Sequence, residues 1–209
     1  TFLILGVTAY TSWQGFNNSS FLAKYIFSST EVLRCKQYYR LISSGFLHAD
    51  WTHYIFNAFS LYAFGSHIEL YFGAPVLLII YFSSILGGSL FSLYLHRGHP
   101  YHALGASGGV CGIIFSAIFL IPGGSVIIFP IPIGIPSSLY AIVFIVVSYK
   151  GIRSQKGNIG HDAHLGGAVV GLLVTTLLYP AIIAQSPLLY LAVLVISGAI
   201  IAYEFKRSH

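Results

Sequence analysis

Methionine is absent from the 209 residues, and charge nearly so, since only 7% of them are Asp, Glu, Lys or Arg. A soluble domain carries about 25% charged residues, so the deficit excludes an ordinary soluble chain. With 56% hydrophobic residues and a mean hydropathy of +0.81, the composition is that of a polytopic membrane protein. The lack of methionine, in a chain that opens at Thr1 inside an apolar run, leads us to expect an initiator residue or a longer segment upstream. That run, Thr1 to about Phe16, has neither a basic leader nor a small-residue cleavage site, which fits a first transmembrane helix better than a signal peptide. Cysteine is limited to Cys35, in a loop, and Cys111, in a predicted helix, a placement that gives no expectation of a disulfide. HExxH is absent too, and His96-x2-His99-x2-His102 lies in a loop without neighbouring carboxylates, so zinc chemistry is not expected. Neither a metal, a cofactor nor a nucleic-acid partner is foreseen.

What is present is a series of apolar runs punctuated by glycine, proline and charge. Phe16 to Gly45 holds Lys24, Glu31, Arg34, Lys36 and Arg40 among aromatic residues, a long first loop expected to lie in the membrane interface. A second helix is predicted from about Asp50 to His67 and a third from about Ala74 to His96, joined by a tight turn at Glu69 and Gly73. Gly98 and Pro100 then break the pattern. A fourth helix begins near Ser107 and must stop before Pro122-Gly123-Gly124, because proline has no backbone donor with which to continue the ladder. About 15 residues at about 1.5 Å each cover about 22 Å, against a hydrocarbon core about 30 Å thick. Ser107 is therefore expected below the membrane surface, with Pro100 to Ala106 dipping in beside it, which is tolerated only where the backbone is buried in protein or lines a wet cavity. Pro122 to Pro136, with Phe129-Pro130-Ile131-Pro132, reads as an interfacial connection. A short fifth helix follows, Ser137 to Tyr149, then a polar loop from Lys150 to Asp162, a sixth helix from about Ala163 to Ala184 and a seventh from Leu188 to Phe205. No internal repeat suggests duplicated transporter halves. The fold class is all-α, a polytopic bundle of membrane helices.

Polar residues inside such helices call for a reason, because an unpartnered polar atom in hydrocarbon costs several kcal/mol. Gly105-Ala106-Ser107-Gly108-Gly109 fits GxSxG, but in soluble hydrolases that elbow follows a strand and has an acidic third partner. Neither condition holds, and the serine alone is equally a small residue for close helix packing. His164 is more telling, since ionisable residues within membrane segments face cavities or functional partners. Gly167 and Gly171 follow it by three and seven residues, on the same helical face, a small-residue stripe that lets the sixth helix approach the fourth and bring the imidazole towards Ser107. On the second helix His53 and Asn57 are four residues apart and share a face. Two donors aimed at one point can stabilise an oxyanion, at about 3 kcal/mol each when well placed.

Taken together, His53-x3-Asn57, Gly105-x-Ser107-Gly108 and Ala163-His164-x2-Gly167-x3-Gly171, in this order on the second, fourth and sixth helices, resemble the rhomboid family of intramembrane serine proteases. Arg40, His48 and the Glu69-x3-Gly73 turn extend the likeness over most of residues 1 to 184. The resemblance implies a six-helix core over 1–184, with residues 185–209 as an additional C-terminal transmembrane helix. It implies a Ser/His dyad in which Ser107 attacks the scissile carbonyl and His164 relays the proton, with Asn57, His53 and the Ser107 amide as the oxyanion hole and Gly105, Gly108, Gly167, Gly171 and His48 in support. No carboxylate is placed to orient His164; Asp162 adjoins it but should project elsewhere. Family members often carry an aromatic residue four positions after the serine, beneath the imidazole, where this chain has Cys111. Substrates would be transmembrane helices of other proteins, reached through membrane lipid past the fifth helix acting as a gate, with Lys150 to Asp162 as a lid. A catalytically inactive rhomboid-like protein that binds transmembrane clients is the alternative, although that class usually loses the serine or the histidine. With alternating helices all ten Lys and Arg residues fall on one side, which the positive-inside rule makes cytoplasmic, whereas the resemblance puts that face outside the cytoplasm. A bacterial cytoplasmic (inner) membrane is the expected location.

Overall fold

The computed structural model describes residues 1–127, 133–154 and 160–207. Phe129-Pro130-Ile131-Pro132 and residues 155–159 of the expected lid lie outside the described residues.

Among the described residues, seven long helical runs form the bundle. The first is Phe2–Asn17. The second starts at Trp51, where the Asp50 carboxylate accepts the His53 backbone N–H at 2.7 Å and so satisfies one of the donors a helix start leaves open. It runs Trp51–Ser60, widens into a π-turn at Leu61–Gly65 and continues Ser66–Phe72, past the end expected at His67. Gly73 stops it with φ +88°, a left-handed conformation natural to glycine, and Pro75 opens the third helix, Ala74–Leu95, where a missing N–H costs nothing. The fourth, Ser107–Leu120, is buried from Gly108 through Phe119. It is the axis of the bundle.

The fifth and sixth helices also differ from their expected bounds. The fifth helix, Ser137–Ser154, does not stop at Tyr149, because its basic last turn finds partners: the Arg153 guanidinium lies 5.8 Å from the Tyr203 ring, and positive charge suits a helix C-terminus. With 18 residues it is not the short element the sequence suggested. The sixth, His161–Leu178, begins earlier and ends earlier than Ala163 to Ala184. Pro180 breaks it, and Ile182–Gln185 forms a separate turn before the seventh, Pro187–Arg207. The third, sixth and seventh helices are each long and apolar enough to cross a membrane. Outward-facing Leu70, Leu177 and Leu188 are 75%, 82% and 83% exposed, an apolar exterior suited to lipid rather than water.

The first loop is more folded than expected, with short helices Ser19–Tyr25, Ser29–Arg34 and Arg40–Ser43. Buried Arg40 ties it together, donating to Ala23 O at 2.8 Å, Ile26 O at 2.7 Å and Gln37 Oε1 at 2.7 Å. Phe27–Ser28 pairs antiparallel with His102–Ala103, and Ser29 exchanges bonds with Tyr101. The segment that leads to Ser107 is thus held by the first loop. A second small pairing joins Ser125–Ile127 to Gly134–Pro136.

Candidate active site

Ser107 is the first residue of the fourth helix, so its backbone N–H has no acceptor within the helix. The approach to it is fixed from three sides. Gly105, at φ +136°, donates its N–H to Ser44 O at 3.0 Å. A side chain there would meet the His53 ring at 2.9 Å, so glycine is required both for the backbone angle and for His53 to close in. Ala106 donates its N–H to His48 Nε2 at 3.4 Å, which leaves Nδ1 as the protonated nitrogen, 2.9 Å from Ser12 Oγ.

His48 is 1% exposed, and burial pushes its pKa down to about 3. The folded state therefore favours the neutral ring, and the stability that goes with it is fully present above the unfolded value of about 6.5 and lost as pH falls from there towards about 3. Between pH 8 and pH 5 the loss amounts to about 2 kcal/mol. Thermal unfolding in detergent is expected to show the wild-type midpoint falling over this range, and that of His48→Gln falling less.

His53 accepts the Ala49 N–H on Nδ1 at 3.4 Å, so its Nε2 carries the proton. That nitrogen faces the space beside Gly105, with Ser107 Oγ on the other side of the same space. Asn57, buried one turn further on, donates one amide hydrogen to His53 O at 2.9 Å and keeps the other.

The sixth helix brings His164 to this place through backbone contact. A side chain at Gly167 would overlap the Gly108 carbonyl, and one at Gly171 would sit 2.5 Å from Gly112 Cα. Below them Thr175 donates to Ser116 Oγ at 2.7 Å and Ser116 to Gly112 O at 2.7 Å. On its other flank the sixth helix meets the third, where a Cβ at Gly88 would lie 2.5 Å from Ala163 O. Ser107, His164, His53, Asn57, Gly105 and Gly108 all line one cavity of about 1080 Å³. Among the described residues no direct hydrogen bond joins Ser107 Oγ to His164.

Several contacts were not legible in the sequence. Asp162 turns away from His164 to meet His96 Nε2 at 3.1 Å, and the His96 ring stacks on Tyr101 with centroids 3.6 Å apart, which pins the start of the sixth helix to the end of the third. The His164 ring has Phe144, from the fifth helix, as its stacked neighbour, at 6.5 Å and an interplanar angle of 29°. Cys111 is buried in the fourth helix. The seventh helix also reaches the cavity: Glu204 and Arg207 line it, and Phe205 stacks on Tyr94 at 3.8 Å.

A family model described as the Rhomboid domain matches residues 35–181, a span that contains every one of these cavity-lining positions on the second, fourth and sixth helices. The chain belongs to the rhomboid family. It is 32% identical over 191 residues to the mitochondrial RHOMBOID-like protein 12 of Arabidopsis thaliana, covering 82% of this chain and 55% of that protein. It is 27% identical over 175 residues to the mitochondrial Rhomboid protein 1 of Saccharomyces cerevisiae, with 81% and 49% covered. The rhomboid protease GluP of Bacillus subtilis is 26% identical over 164 residues, with 78% and 31% covered. The chain thus spans about half the length, or less, of these rhomboid relatives. Rhomboid membership and the apolar helices make it a membrane protein, but two of these relatives being mitochondrial leaves the expected bacterial inner-membrane location without support.

Proposed function

We propose that this rhomboid chain is a serine endopeptidase that cuts transmembrane segments of other membrane proteins within the bilayer. One observation carries the reading: Ser107, His164, His53 and Asn57, drawn from three helices, line a single cavity inside an apolar bundle. The rhomboid protease GluP among the relatives supports it.

In this reading Ser107 Oγ attacks the scissile carbonyl carbon while His164 takes its proton. The carbonyl oxygen becomes an oxyanion stabilised by the donors His53 Nε2–H, the second Asn57 amide hydrogen and the Ser107 backbone N–H. His164 then gives the proton to the leaving amine, and a water activated by the same imidazole releases the acyl group. The Ser107 to His164 hydrogen bond is one that commonly tightens only when substrate is bound. Asp162 is committed to His96, so the pair works without a carboxylate. We further propose residues 1–184 as the catalytic core and 185–209 as an added helix whose end completes the cavity wall.

The test is purified protein in liposomes with a single-span reporter. Cleavage within the apolar segment is expected. Reporter that cross-links to the protein but stays intact would favour the client-binding alternative instead.

A further inference from the structure

The His164 imidazole has to be held in one orientation to move a proton along a fixed line, and the usual holding groups are engaged elsewhere or missing. The nearest carboxylate in sequence, Asp162, bonds His96. Position 111, one turn below Ser107 on the fourth helix, is a buried cysteine with no ring to offer. Two rings neighbour the imidazole: His161 edge-on at 5.9 Å, from the first turn of the same helix, and Phe144, from the fifth helix, within 29° of parallel at 6.5 Å, inside the centroid range of interacting aromatic pairs. Phe144 is itself gripped. Phe115, two turns along the fourth helix from Ser107, meets it edge-on at 5.1 Å, and Tyr140, one turn earlier on the fifth helix, lies at 5.9 Å. Phe115, Phe144 and His164 form a continuous aromatic column that joins the serine's helix to the histidine's helix through the fifth.

We propose that Phe144 is the positioning residue of His164, so that the seating of the fifth helix sets the orientation of the base. The proposal rests on the dyad reading above. Phe144 is not among the residues that line the cavity with Ser107 and the oxyanion donors, and in this proposal it acts through the imidazole. Leucine at this position keeps apolar bulk but loses the flat face, so the ring is free to tilt; tyrosine keeps the face. A misplacement of about 1 Å in a reacting group costs up to about 100-fold in rate.

The experiment measures the rate at which a small fluorophosphonate probe labels wild type, Phe144→Leu and Phe144→Tyr in detergent, together with kcat and KM for the single-span reporter. The expected result is labelling and kcat reduced about 10- to 100-fold in Phe144→Leu, KM within about twofold, and Phe144→Tyr close to wild type. If Phe144→Leu loses its melting transition, Phe144→Met, which conserves volume without a ring, takes its place with the same expectation. Phe144→Leu labelling at the wild-type rate, or Phe144→Tyr impaired as much as Phe144→Leu, overturns the proposal while leaving the dyad intact. Wild type that fails to label overturns the dyad reading, and this one with it.

Discussion

Ser107→Ala is expected to reduce cleavage of a single-span reporter by about 10,000-fold or more, with the melting temperature unchanged. The hydroxyl is the only protein group in the proposed pathway that forms a bond to substrate carbon, and removing it leaves a small residue at the start of a helix, where alanine fits without strain. His164→Ala is expected to match it, because a hydroxyl without its base is a weak nucleophile. The informative comparison is the double variant. Residues that act as a unit are strongly non-additive, so losing both should cost no more than losing either. Effects that multiplied would place the two residues in separate tasks. Initial rates in liposomes at saturating reporter read these numbers directly.

The second large effect is structural in origin. Gly167→Val is expected to abolish activity and to lower the thermal midpoint sharply, because the new side chain must occupy the place of the Gly108 carbonyl. Backbone cannot yield as a flexible side chain can, so the fourth and sixth helices must separate. That single displacement carries Ser107 away from His164, and it also opens the Thr175 to Ser116 bond beneath. Overpacking a well-filled interior costs about 1–3 kcal/mol and occasionally more, and here the clash is with main chain. Gly198, on the seventh helix, has nothing within 4 Å of its Cβ position. Gly198→Val should leave cleavage unaffected, and so separates the contact at 167 from a general intolerance of valine at helical glycines.

The same contrast shows what the sequence makes legible. The run between Ser107 and Pro122 already gives the helix that starts at the serine, and the spacing of His164, Gly167 and Gly171 gives the face on which the sixth helix packs. Both are one-dimensional periodicities, which side-chain direction along a helix converts into contact. What spacing cannot give is the partner across a gap. The fifth helix continues past Tyr149 because Arg153 finds the Tyr203 ring on the seventh, and a charge that reads as loop when isolated is a helix end when partnered. Phe144 has the same history. Tyr140 and Phe144 stand four residues apart, a signal of a shared aromatic face, but only the fold shows that the face meets His164. Asp162 projects away from His164, as its place on the helix implies, but that its partner is His96 is not readable from spacing. The seventh helix reads as an appendage, yet Glu204 and Arg207 stand at the cavity.

The most direct measurement is covalent: the protein in detergent is treated with a fluorophosphonate probe, and the labelled residue is located by mass spectrometry. The expected result is a single adduct on Ser107, lost in His164→Ala as well as in Ser107→Ala. Absence of any adduct on folded wild-type protein, or an adduct on Ser107 that persists at full rate without His164, would contradict the dyad.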